Sequence, residues 1–156
     1  MNSVAAVYQD RVGQSRSRNM VDAGEVFTQH RVLVNGYQSQ WLEDLSPRLR
    51  DLTALERGWD GYDGLPVNFH VAHFVVNLLE RLFLDNLPPP SLVPGSDGSL
   101  QFEWHRNGMD IELDVHAPSR VTAYKYDHQS GEETEIELRN NFADVACWLS
   151  EMAGRG

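Results

Sequence analysis

The chain has little of what commonly announces a function. Its single cysteine, Cys147, excludes an internal disulfide and a cysteine-based zinc site. Lying in a run of helical periodicity, it is expected to be a small buried apolar residue. No apolar stretch approaches the ~20 residues of a membrane span. The N-terminus lacks the basic-then-apolar pattern of a signal peptide, so a cytoplasmic protein with no membrane contact is expected. Positive charge is scarce as well: 13 Lys and Arg stand against 23 Asp and Glu, a net charge of −10. That balance argues against direct nucleic-acid binding by phosphate neutralisation and disfavours an anionic lipid surface, while a basic partner would be attracted. There is no glycine-rich phosphate loop and no serine in a nucleophile elbow. No histidine near Cys147 in sequence is placed to activate it. The reading is therefore not an enzyme, with no catalytic residue, no cofactor and no metal assigned.

At 156 residues, 41% apolar and 10% aromatic, the chain suits one domain with a fair core. Residues 1–35 differ from the remainder. They hold Arg11, Arg16, Arg18 and Arg31 against Asp10, Asp22 and Glu25, a net of +1, which leaves −11 for the rest. The polar run from Gln14 to Asn19 buries nothing, so 1–35 is expected to be a flexible basic arm and 36–156 a single domain. Val26-Phe27 and Val32-Leu33-Val34 suit a short strand or anchor.

Trp41, Leu42, Leu45, Leu49, Leu52 and Leu55 recur at helical spacing over 37–57. Ser46-Pro47 predicts a break or restart, and Gly58 the stop. A Gly/Asp/Pro loop runs from Trp59 to Val67, its glycines suited to positive φ. Asp60-Gly61-Tyr62-Asp63-Gly64 lacks the spaced oxygens and closing glutamate of an EF-hand. Asn68 caps a second helix to about Leu84, striped by Phe69, Ala72, Val75, Val76, Leu79 and Phe83. Leu87-Pro88-Pro89-Pro90 is a stiff linker. Asn141 caps a final helix ending at Gly154. Trp41, Trp104 and Trp148 are assigned to the core, and Trp59 to the locking or the surface of its loop.

Between the linker and that last helix, residues 98–138 alternate apolar and polar, the pattern of an antiparallel meander with one wet face. The polar set is almost all carboxylate: Glu103, Asp110, Glu112, Asp114, Glu133, Glu135 and Glu137. Asn107-Gly108 is a strong hairpin signal. It pairs Trp104 with Ile111, Phe102 with Leu113 and Leu100 with Val115, so apolar meets apolar throughout. The same register sets Glu103 opposite Glu112 and His105 opposite Asp110. A second turn at Pro118-Ser119 predicts Leu113 beside Tyr124 and Glu112 beside Lys125. A third hairpin pairs Tyr126 with Thr134 and Lys125 with Glu135. One row of the wet face is then Glu103, Glu112, Lys125, Glu135, with Lys125 its sole cation. Such a face is either simply solvated or a docking surface for an Arg/Lys-rich partner. His105, Asp110, Glu112 and His116 include metal-ligating types, but this register puts the two histidines at opposite ends of their hairpin.

Glu56-Arg57-Gly58-Trp59-Asp60-Gly61-Tyr62, Pro66, Pro90-Ser91-Leu92-Val93-Pro94, Asp97-Gly98 and Phe102-Glu103-Trp104-His105 together carry a resemblance. Over about residues 50–116 the chain resembles a family of small uncharacterised bacterial proteins with a Gly-Trp-Asp-Gly-Tyr loop and a Pro-rich lead into an Asp-Gly…Glu-Trp-His strand. Proteins of that kind are carried on plasmids, prophages and other mobile elements. The resemblance thus implies an antitoxin, an immunity protein or an inhibitor of host defence; the long basic arm departs from the pattern.

The expected fold is α+β: two N-terminal helices, an antiparallel meander of four or five strands, and a C-terminal helix, with the helices on one sheet face. The expected function is a non-enzymatic acidic binder. It would dock Glu103, Asp110, Glu112, Asp114, Lys125, Glu133, Glu135 and Glu137 on a basic protein (a toxin, nuclease or defence component), for example on a surface that normally holds nucleic acid. Trp59, Asp60 and Tyr62 form a second candidate feature. Two alternatives stay open: a metal-dependent hydrolase or nuclease using the same carboxylates, and a structural homodimer joined through a sheet edge or the arm.

Overall fold

The sheet is built from hairpins alone. In the computed structural model, which describes residues 39–156, five antiparallel strands lie in sequence order. They are β1 (Ser91–Pro94), β2 (Leu100–Arg106), β3 (Met109–Ala117), β4 (Arg120–Asp127) and β5 (Glu132–Leu138). Helices α1 (Gln40–Thr53), α2 (Phe69–Leu82) and α3 (Ala143–Gly154) complete the α+β fold. The expected arm, 1–35, lies outside the described residues.

The core lies between the sheet and the helices. Alternate residues of the strands point inward, among them Leu92, Leu100, Phe102, Trp104, Ile111, Leu113, Val115, Val121 and Ala123. They meet Trp41, Leu42, Leu49 and Leu52 of α1, Val75 and Leu79 of α2, and Val145, Leu149 and Met152 of α3. Trp41 donates from Nε1 to the Leu87 carbonyl at 2.9 Å, tying α1 to the proline linker. Among the described residues no helix is long and apolar enough to cross a membrane.

α1 runs through Pro47 without the expected break. Pro47 and Glu43, whose carbonyl loses its i+4 donor, are both solvent-exposed, so the missing hydrogen bond falls on the wet side of the helix. Proline inside a helix costs about 3 kcal/mol. Burying Leu42, Leu45, Leu49 and Leu52 on the opposite side contributes about 1.5–3 kcal/mol each, which decides for continuity. Gly58 is likewise not the stop. The helix ends at Thr53, and Gly58, at φ +85, donates to the Gly64 carbonyl at 2.7 Å and closes the next loop. Asn68 caps α2 as expected, its Oδ1 accepting from His70 N–H at 2.8 Å. Asn141 Oδ1 accepts from Ala143 N–H at 3.0 Å, although Phe142 takes the N-cap position of α3. Cys147, expected to be buried, is exposed: it falls on the outer side of α3, away from Val145, Trp148 and Leu149.

The β2–β3 register is the expected one, from Leu100 opposite Val115 to Arg106 opposite Met109. Asn107 (φ 52) and Gly108 (φ 71) form the tight turn whose twist suits a hairpin. Beyond it the expected registers fail by one residue. Ala117 pairs with Arg120 across Pro118-Ser119, but Val115 pairs with Val121, so His116 is an extra residue, a β-bulge. A one-residue slip exchanges the two faces of a strand. Leu113 therefore meets Ala123, not Tyr124, and Glu112 meets Tyr124, not Lys125. The third hairpin shifts too: Lys125 pairs with Thr134, Tyr124 with Glu135 and Tyr126 with Glu133.

Candidate functional site

The face of the sheet away from the helices consists of three cross-strand rows. One is Ser91, Glu103, Glu112, Tyr124, Glu135. The second is Val93, Gln101, Asp114, Thr122, Glu137. The third is His105, Asp110, Tyr126, Glu133. All seven carboxylates expected on one face are on it. Lys125 is not. It belongs to the helical side, opposite Ile111, with its side chain 12% exposed, its Nζ 5.7 Å from the Trp148 ring centroid and 3.9 Å from Glu151. The bulge at His116 causes this exchange, putting Tyr124 and Tyr126 where Lys125 was expected. Within the five strands, Arg120 at the first position of β4 is the one arginine or lysine with the parity of the open face.

The charges on this face fall into two groups. Along its lower edge Asp110 is spent on imidazoles. His105 Nδ1–H donates to Oδ1 and His128 Nε2–H to Oδ2, each at 2.8 Å. His105 Nε2 also faces Glu103 Oε2 at 3.4 Å. The hydrogen bond to Asp110 raises the His105 pKa above its ordinary value, with Glu103 adding to it against partial burial. Burial opposes ionisation of Asp110, but the two imidazole hydrogen bonds outweigh it and hold the carboxyl below its ordinary range. The Tyr126 and His128 rings meet edge to face, with centroids 4.7 Å apart.

The carboxylates at the centre have no cationic partner of this kind. Glu112 accepts from Gln101 Nε2 at 3.0 Å, and its pKa is raised by burial first and by the charge of Glu103 second. Asp114 is raised as well, mainly by burial. The Tyr124 hydroxyl is raised by burial and by Glu133, which keeps it a donor. At the bulge His116 Nε2 lies 3.1 Å from Thr122 Oγ1, which donates to Glu137 at 2.9 Å. Among the members of this face that sequence reasoning missed are Tyr124, Tyr126 and His128. The two tyrosines result from a bulge that has no local sequence signal, and His128 reaches Asp110 from the β4–β5 loop.

The second candidate feature is a turn built on Asp60. Its Oδ1 accepts from Tyr62 N–H at 2.9 Å and Gly64 N–H at 3.0 Å, and these bonds lower its pKa. Trp59 Nε1 donates to the Leu65 carbonyl at 2.8 Å. A Cβ at position 64 would stand 2.6 Å from the Asp60 carboxyl carbon, so a side chain there would push the carboxylate out of its hydrogen bonds. The loop is fastened to the β1–β2 turn by Leu65 N–H to the Ser96 carbonyl at 2.8 Å. Trp59 and Asp60 thus hold the loop together, and Tyr62 stands out from it, 88% exposed.

Among the described residues, no three of His, Cys, Asp and Glu are grouped to hold a metal ion. Compared with family models, curated proteins and solved structures, the chain matches none.

Proposed function

We propose that this is a non-enzymatic binding protein, antitoxin-, immunity- or defence-inhibitor-like, as its resemblance to small mobile-element proteins implies. Its open sheet face would dock on a basic protein surface. The observation that carries this reading is the composition of the face: seven carboxylates and two tyrosines on paired strands, with one arginine at the margin. Like charges directly opposite on a sheet, as Glu103 and Glu112 are, cost tenths to about 1 kcal/mol per pair. A cationic partner turns each such cost into attraction. Carboxylates accept guanidinium forks in pairs, and the Tyr124 and Tyr126 rings offer faces on which a guanidinium stacks. A surface of one sign also speeds encounter with the opposite sign and makes it salt-sensitive.

The test is affinity capture from the native host at low salt. The captured protein is then titrated against wild type and against E112K/E135K, with circular dichroism as the folding control. The proposal expects the double variant to lose binding while staying folded. Equal affinities would leave the face as merely solvated.

A further inference from the structure

The two edges of the sheet are treated differently. β1 is four residues long and is bounded by Pro90 and Pro94, neither of which has a backbone N–H, so its rim offers few hydrogen-bond donors to another strand. β5 is seven residues long, is the last strand in the sheet order, and holds neither proline, glycine nor lysine. Along such a strand alternate backbone N–H and C=O groups point away from β4, and no other strand among the described residues pairs with them.

Self-pairing is disfavoured by the strand's own side chains. Glu133, Glu135 and Glu137 share the open side, and Thr134, Ile136 and Leu138 the helical side. Any pairing of two copies that keeps Ile136 on the helical side sets glutamate beside glutamate. A segment with the complementary alternation meets no such repulsion. Its basic residues would lie next to the three glutamates and continue the acidic rows. Its apolar residues would lie next to Ile136, which is only half-buried.

We infer that the β5 edge receives an extended segment of the partner protein in which Arg or Lys alternates with apolar residues, adding a sixth strand to the sheet. This rests on the reading of the acidic face as a docking surface and assigns the part of the partner that enters first. Main-chain hydrogen bonds supply the attachment, and the alternating side chains supply the choice of partner.

Two synthetic peptides of about nine residues with identical composition separate the possibilities. In one, arginine alternates with valine and threonine; in the other, the arginines form a block at one end. Each is titrated against the full chain at low salt by fluorescence anisotropy, and amide hydrogen exchange is measured in the bound state. The expected result is at least about tenfold tighter binding of the alternating peptide, with exchange slowed at alternate amides of 132–138. The variant E133K/E135K/E137K should lose that binding. Equal affinity of the two peptides, both weakened by E112K/E135K, would overturn the edge while leaving the docking face standing. Failure of both peptides to bind would contradict the edge and the face together. Protection of every β5 amide in the free full-length chain would mean the chain already covers this edge itself, and would overturn the inference.

Discussion

Lys125 lies beneath Trp148, its ammonium 5.7 Å from the ring centroid, on the side of the sheet that the helices cover. It is the chain's one lysine. Its alkyl stem lines the helical side, and its charge is directed to Glu151 rather than to the carboxylates of the opposite face. K125M should therefore leave partner binding and its salt dependence unchanged, and should destabilise the fold by only about 0.5–1 kcal/mol. Binding titration and chemical denaturation of one variant check both halves. A fall in affinity with the fold intact would place the lysine in recognition after all.

The core prediction concerns Leu113, fully buried between Phe102 and Ala123. L113A should cost about 2–5 kcal/mol in denaturant titration, the transfer loss plus the cavity left behind. A change below about half a kcal/mol would show that this side of the sheet is not the core.

The bulge makes an unusual deletion tolerable. Since Val115 already pairs with Val121, removing His116 lets β3 run straight into Ala117 opposite Arg120 without moving β4 or β5. The deletion variant should fold, keep Glu112 beside Tyr124, and lose the contact of His116 with Thr122. Cross-strand NMR contacts between residues 112 and 124 report this directly. Their replacement by contacts between residues 112 and 125 would contradict it.

The same bulge marks where the fold stops being legible in the sequence. Asn107-Gly108 specified the β2–β3 register because a tight turn needs two positive φ angles and those residues supply them. Asn68 and the α2 stripe were readable for similar local reasons. β4 was not. Tyr124 and Tyr126 outweigh Val121 and Ala123 in apolar bulk, so the pattern favoured burying the tyrosines. The small Ala123 is buried instead because α3 packs on this side, with Trp148 over the Lys125 stem. Pro47 misled in the opposite way: its local cost is real, but tertiary burial on both sides of it is larger.

pH separates the two charge groups on the open face. His105 titrates above its ordinary 6.5, so its stabilising contribution is complete below that value and fades as pH rises through the raised one. Asp110 titrates below its ordinary 3.8, so its contribution is present above that value and is lost as pH falls through the lowered one. The cluster is strongest between about pH 4 and 6.5. H105N should destabilise the protein more at about pH 5.5 than at about pH 8.5. Equal losses at the two pH values would contradict the charge-assisted pairing.

Glu112 has the opposite sign. Its raised titration means that ionisation, which burial and Glu103 oppose, costs stability as pH rises through that value. E112Q keeps an acceptor for Gln101 and removes the charge. It should be more stable than wild type at neutral pH, by tenths to about 1 kcal/mol, with the gain vanishing in acid where Glu112 is protonated. Thermal unfolding across pH checks this, and a loss of stability at neutral pH would count against a self-repelling face.

The most direct measurement of the central claim is the affinity of wild type and of E112K/E135K for the captured partner as salt rises from about 50 to 500 mM, over which the Debye length shrinks severalfold. A docking acidic face predicts wild-type binding that weakens steadily with salt, and little or no binding by the folded double variant at any salt. Equal, salt-independent affinities for the two proteins would contradict it and shift recognition to the exposed Tyr62 loop.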